Sequence, residues 1–372
     1  MRDQPATLRG QGEDAPPGAV ERQAPPRTRR IDGLDLLRVL ACCLVFYTHV
    51  STWYRFKKDP LPLTGVLDSA VVGPLHLNKD FAFLGVSLFF LISGFVIAHV
   101  ATREGAAEFA VKRALRVFPP LFAAVLLAWV FVLLGWLSVP GGEDVGFGDL
   151  VANLFLVNFF APQLVTLVGV AWTLIIQLGV YAMVLALLAV FRRMPWLAIA
   201  VQVTACMVLL SVLSNLRGPV AASLANIGAF GCAIVLGQVI WLVWSRRAPL
   251  WAGVLLGALC WLVVNTAEAG GYGQSGDSYL LTMTLAALVV SLVVAAGGRV
   301  KRVRAVAFLS ERSYSIYLVH QTTAFAVLAG LAAHTWSSVA VAVAVAVTLA
   351  VAEVVHRFVE RPSARLAART TR

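Results

Sequence analysis

Long apolar runs separated by short polar breaks dominate the chain from residue 31 onward. Runs of mainly apolar residues fall at 34–54, 81–100, 118–139, 168–191, 196–215, 220–245, 249–266, 278–297, 313–333 and 336–357. Each is close to the roughly 20 residues that an α-helix needs to cross a bilayer core. A helix pairs its own backbone groups, for which lipid offers no partner. The pattern therefore predicts an all-α fold, a polytopic membrane bundle of about ten transmembrane helices. The stretch 148–163 is apolar but short and reads as an interfacial or re-entrant segment. Residues 1–30 are rich in Pro, Gly and charge and predict a disordered tail. They contain no signal-peptide core, so the first run is expected to stay in the membrane as a helix. The membrane domain is placed at 31–362 and a short tail at 363–372. Small residues in the Ala/Val repeat of 339–352 favour close helix packing. No inverted repeat of the kind that builds secondary transporters is visible.

Composition sharpens this picture. Of 372 residues, 59% are hydrophobic and 13% charged, and mean hydropathy is +0.82. Soluble chains carry roughly 45–50% apolar and about 25% charged residues. A soluble enzyme, a secreted disulfide scaffold, a coiled coil and a disordered regulator are excluded as descriptions of the whole chain. The net charge of +11 would suggest nucleic acid in a soluble protein. Its placement points to a membrane instead. With the N-terminus assigned to the cytoplasm, 24 Lys and Arg fall on that side and five on the other. The positive-inside rule then puts both termini in the cytoplasm of a plasma-membrane protein whose partner is the bilayer and not a nucleic acid. Five cysteines lie within apolar runs and six histidines are scattered, with no metal-ligand spacing.

Ionisable groups within a bilayer core are costly, so each one is a functional candidate. The first run holds Asp35, Arg38 and His49. Arg38 and His49 are eleven residues apart, which brings them within about 20° of one another around a helix and separates them by about 16 Å along it. Asp35, three residues before Arg38, can pair with it. The stripe offers an anion-binding guanidinium near the inner surface and a titratable imidazole in the outer half; the plain alternative is an arginine reaching the headgroups and a packed histidine. Trp172, Thr173, Gln177 and Tyr181 put polar groups on one side of the fourth run. Arg113 and Arg116 are spaced to clamp a phosphate, although basic residues are also what the positive-inside rule predicts there. His320 follows SERSYSIYLV at the start of the ninth run, and Glu360 and Arg361 close the tenth, where a local salt bridge is the ordinary reading.

These segments together resemble the acyltransferase-3 family of integral membrane O-acyltransferases. Asp35-Leu-Leu-Arg38 followed by His49 is similar to the family's R-x10-H motif, and GVSLFFLISGF (Gly85 to Phe95) is similar to its second-helix signature. KRALRVFPP matches R-x-x-R-x-x-P, AWTLIIQLGVY resembles W-x-L-x-x-E-x-x-x-Y, RSYSIYLVH resembles S-Y-x-x-Y-L-x-H, and VERP matches E-R-P. The six elements occur in family order, from residue 31 to 362, with one departure: Gln177 stands where the family usually carries Glu. With no residues beyond 372 for an appended hydrolase-like domain, the expectation is a stand-alone member.

The resemblance implies transfer of an acyl group, acetyl or another short chain, from cytoplasmic acyl-CoA to a hydroxyl of a carbohydrate-bearing acceptor. Acyl-CoA, most simply acetyl-CoA, is then a co-substrate, and no permanently bound cofactor or metal is implied. His49 would be the general base, with Arg38 and Asp35 beside the thioester arm. Arg113, Arg116, Arg302 and Arg304, helped by Lys301, would hold the CoA phosphates. Ser93, Trp172, Gln177, Tyr181, Tyr317, His320 and Glu360 would form the acceptor and acyl pocket. The Ala/Val/Leu/Arg-rich composition is similar to that of high-GC actinobacterial proteins, where stand-alone members modify antibiotic sugars or cell-envelope glycans. Two other readings keep the same charges: a transporter or flippase for a lipid-linked or glycosylated substrate, and a structural or sensory membrane protein.

Overall fold

The computed structural model describes residues 31–57, 59–272, 278–299 and 303–370; the tail expected over 1–30 lies outside them. Among the described residues there are helices and no strands. The long helices are α1 (Asp32–Phe56), α2 (Ala82–Ala101), α3 (Ala106–Leu133), α4 (Trp172–Ala186), α5 (Pro195–Leu213), α6 (Pro219–Trp244), α7 (Leu250–Ala269), α8 (Tyr279–Ala296), α9 (Ser313–Leu331) and α10 (Ser337–Val355). After a π-helical turn over His356–Glu360 the chain ends in α11 (Arg361–Thr370). Each apolar run thus becomes a helix, and the short stretch expected at the interface becomes the eight-residue helix Phe147–Leu154.

Three details differ from the sequence pattern. Helix α3 begins twelve residues before its apolar run, because Glu108 accepts the Gly105 N–H at 3.3 Å and pairs with Lys112 at 2.5 Å, continuing the helix through polar residues. The fourth run breaks near Leu187, where the short helix Leu188–Arg193 takes over. Among the described residues nine helices are long and apolar enough to cross a membrane, and α9 is not one of them. Its 19 residues suffice in length. It is too polar by composition, but Ser313, Ser315, Tyr317, His320, Thr322 and Thr323 are all buried against neighbouring helices. A polar helix is tolerated in lipid when protein covers its polar side.

Helices α2 and α6 are the centre of the bundle. The spanning segments containing them are 72% buried within the protein, against 28–44% for the other seven. Glycines bring the two backbones into contact: a Cβ on Gly94 would stand 1.8 Å from the Ile234 carbonyl oxygen, and one on Gly237 would stand 2.1 Å from that of Leu91. Gln202 of α5 and Gln238 of α6, both fully buried, exchange reciprocal hydrogen bonds of 3.0 and 2.9 Å. On its other side α2 meets α1, where a Cβ on Gly85 would stand 2.8 Å from Val45. That contact turns the Phe89–Ser93 side of α2 toward the space among α1, α3, α4 and α9.

Candidate active site

That space is a cavity enclosing about 930 Å³ of atom-free volume, its open side included. One wall is apolar, with Val86, Phe89, Phe90, Ile92 and Val96 from α2. The other elements contribute polar groups: Arg38 from α1, Arg113 and Arg116 from α3, Thr173, Gln177 and Tyr181 from α4, and Ser313, Tyr314 and Tyr317 from α9. Among the described residues three guanidinium groups line it and no carboxylate does. Arg38 pairs with Asp35 at 3.0 Å, and Asp35 is held behind it by the Ser310 hydroxyl at 2.7 Å. Arg113 stands 3.6 Å from Glu104, a carboxylate shared with Lys112 at 3.1 Å. Arg116 is exposed and forms no ion pair among the described residues. In a water-poor recess such a charge set favours an anion.

Beside the arginines, Ser93, Gln177 and Tyr181 form a closed triangle. The Gln177 amide donates to Ser93 Oγ at 3.1 Å and to the Tyr181 hydroxyl, and the two hydroxyls are 3.3 Å apart. One hydroxyl donates to the other and closes the triangle, and because the amide supplies the remaining two bonds, the second hydroxyl hydrogen is available to a ligand acceptor. Thr173, one turn before Gln177, lies 2.7 Å from the Tyr317 hydroxyl, and both oxygens reach the Val170 carbonyl, at 2.9 and 3.2 Å. That carbonyl is positioned by the preceding loop, which Asp149 and Asn153 tie down through Val165 and Leu167. Tyr314, unremarked in the sequence though one turn before Tyr317, donates to the Val117 carbonyl at 3.0 Å.

Tyr317 separates the cavity from the two histidines. Its ring packs 5.3 Å from Phe89 and 5.8 Å from His320, whose ring in turn is 5.0 Å from His49. His49 is partly buried and does not line the cavity itself. The sequence placed His320 at the start of its helix; it is in fact well inside α9 and 2% exposed.

The remaining sequence-derived candidates fall elsewhere. Trp172 packs against Phe90 and Phe230 without lining the cavity. Glu360 receives the Ser315 hydroxyl at 2.6 Å and pairs with His356 at 2.9 Å, joining α9 to the turn after α10. This places Glu360 in a helix-to-helix tie and not in the cavity wall. Arg304 is exposed at the start of the short helix Arg304–Glu311 and also outside the lining. Arg302 and Lys301 lie outside the described residues. Among the described residues no three His, Cys, Asp or Glu side chains group as a metal site.

A membrane bundle whose inward polar groups converge on one cation-lined cavity is the setting in which the family comparison becomes informative. The model of the acyltransferase domain of the acyltransferase-3 type matches residues 31–354. The chain belongs to that family, and it is an integral membrane acyltransferase. It is 28% identical over 334 residues to nodulation protein 10 of Rhizobium leguminosarum bv. viciae, covering 82% of this chain and 86% of the relative. It is 29% identical over 162 residues to the acyltransferase MdmB of Streptomyces mycarofaciens, covering 42% of this chain and 39% of that one. No solved structure gives a significant match.

Proposed function

We propose that the protein transfers a short acyl group, most simply acetyl, from cytoplasmic acyl-CoA to a hydroxyl of a sugar-containing acceptor. The observation that carries this reading is the cavity itself. Its polar groups form a ladder from the unpaired Arg116 toward the histidines, along one wall of aromatic and aliphatic side chains. Arg116, Arg113 and Arg38 suit the phosphates at one end of the donor. The one spare hydroxyl hydrogen of the Ser93–Tyr181 pair suits an amide carbonyl of a pantetheine arm. On α9, Tyr314, Tyr317 and His320 recur every three residues, a rise of about 4.5 Å each. An extended arm following that ladder delivers its thioester past Tyr317 to the His49–His320 pair.

There His49 takes the proton of the acceptor hydroxyl while the hydroxyl oxygen attacks the thioester carbonyl. Collapse of the tetrahedral adduct breaks the C–S bond, and the proton passes to the leaving thiolate. The products are the ester and CoA thiol. A neutral imidazole, with a usual pKa of about 6.5, is suited to both transfers. The distribution of basic residues supports a cytoplasmic position for Arg113 and Arg116, and in this reading the membrane is a bacterial plasma membrane. Sugar-bearing natural products and cell-envelope glycans are the acceptor classes that this reading favours.

The test is acceptor-dependent release of CoA from acetyl-CoA by the purified protein in detergent, with carbohydrate extracts of the source cells as acceptor. Release that is lost in both His49→Ala and Arg38→Ala is the expected result. Absence of release from a folded protein over several acyl-CoA donors would count for a transporter or flippase instead.

A further inference from the structure

The pairing of His49 with His320 carries an inference about how the base is oriented, and it rests on the reading of His49 as that base. A catalytic imidazole works when a second group fixes which nitrogen bears the hydrogen. Aspartate or glutamate is the usual choice, and among the described residues no carboxylate acts on either ring. Asp35, the acid of the same helix closest to His49, is committed to Arg38 and Ser310. His49 itself forms no hydrogen bond to the protein among the described residues. The groups facing the two rings are Phe46 on the helix of His49, with Tyr317 and Phe325 on that of His320.

His320 has what is missing. Its Nδ1 lies 2.6 Å from the Tyr317 carbonyl oxygen, one turn back in α9. A carbonyl only accepts, so Nδ1 carries the hydrogen and Nε2 is a bare acceptor. That Nε2 is buried and has no hydrogen-bond partner among the described residues. A buried polar atom left without a partner costs about 1–3 kcal/mol. The His49 and His320 ring centroids are 5.0 Å apart, so rotation of the His49 ring can bring one of its nitrogens to that atom.

We propose that His320 is the positioning residue for His49. Its Nε2 accepts the N–H of His49 in the donor-loaded enzyme and leaves the other His49 nitrogen as the proton acceptor for the hydroxyl. The backbone carbonyl of Tyr317, itself in the cavity wall, fixes the tautomer of His320, so the orientation of the base is anchored in α9 and not in a carboxylate. His320 holds a hydrogen bond in this scheme and receives no proton from substrate.

The test uses full-length protein in nanodiscs with acetyl-CoA and the same acceptor extract. His320→Leu is expected to lower kcat on the order of 10²-fold with the KM for acetyl-CoA within about threefold of wild type. His320→Gln, whose amide oxygen can accept in place of Nε2, is expected to recover at least tenfold of that loss. Selectively 15N-labelled histidine gives a reading independent of turnover: His49 shows a single tautomer in the wild type and exchanging tautomers in His320→Leu. Folded His320→Leu with wild-type kcat, or no difference between the Leu and Gln variants, overturns the proposal while His49→Ala stays inactive. An active His49→Ala protein overturns the base assignment itself, and the proposal with it.

Discussion

Arginine occurs near both ends of α1, and the two ends treat it differently. Arg55 is charge-compensated: it contacts both oxygens of Asp80 at 3.0 and 2.8 Å and Asp68 at 2.8 Å, two carboxylates for one guanidinium. Those bonds fix the segment after α1 and the start of α2, where Asp80 and Phe81 take positive φ angles of 54° and 57° and the Thr48 hydroxyl holds the Asp80 carbonyl at 2.9 Å. At the other end three arginines share the cavity lining, and Arg116 among them has no ion pair among the described residues. The ratio of acids to bases, more than the presence of charge, separates a structural cluster from a binding one. A guanidinium between two carboxylates offers no net charge to an anion, whereas an under-paired one lining a recess gains by binding one.

Substitutions break this comparison in different observables. The largest effect expected is from His49→Ala, which should lower kcat/KM by about 10²–10⁴-fold without unfolding the bundle, read as CoA release. Retention of more than a tenth of the activity would remove His49 from the chemistry. In the same assay, wild-type kcat/KM should fall as pH drops through the imidazole range, because the base must be unprotonated. Activity that rises as the pH falls would contradict a histidine base.

Substitution at the two α1 ends should separate next. Arg116→Ala should raise the KM for acetyl-CoA about tenfold and leave the melting temperature unchanged. Arg55→Ala should destabilise by about 1.5–3 kcal/mol and leave that KM alone. The reverse pattern would invert the assignment of the two ends. Gly94→Ala forces a methyl into the Ile234 backbone, with an expected cost of at least about 1–3 kcal/mol in thermal unfolding. The adjacent Ser93→Ala touches only the cavity and should alter KM with little effect on stability. The smallest effect is expected from Gln177→Glu. A carboxylate there would take up the Ser93 and Tyr181 hydrogens and add a negative charge, raising the KM for acetyl-CoA about two- to fivefold. A lowered KM would show that those hydroxyls do not serve the donor.

Much of this was readable in the order of residues. Lipid admits few backbone structures, so ten apolar runs sufficed to predict ten helices and the fold class. The cost of burying charge made Arg38, His49 and Gln177 conspicuous. Tyr314 could have been found by its spacing from Tyr317, but nothing in one helix alone shows which side faces a cavity. Glu360 stood out for its charge, yet its bonds to His356 and Ser315 use that charge between helices. Arg304 is basic but exposed and outside the lining of the recess.

The sequence by itself therefore determined the class of structure and the residue types available for chemistry, because hydropathy and the price of intramembrane charge are local properties. The tertiary structure decided which of those residues meet. Ser93 and Gly94 are neighbours in the chain, yet one completes a hydroxyl–amide triangle and the other seals the α2–α6 contact, since successive helix positions point about 100° apart. Likewise His320 and His49 are 271 residues apart in sequence, and only the packing of α9 against α1 brings their rings to 5.0 Å.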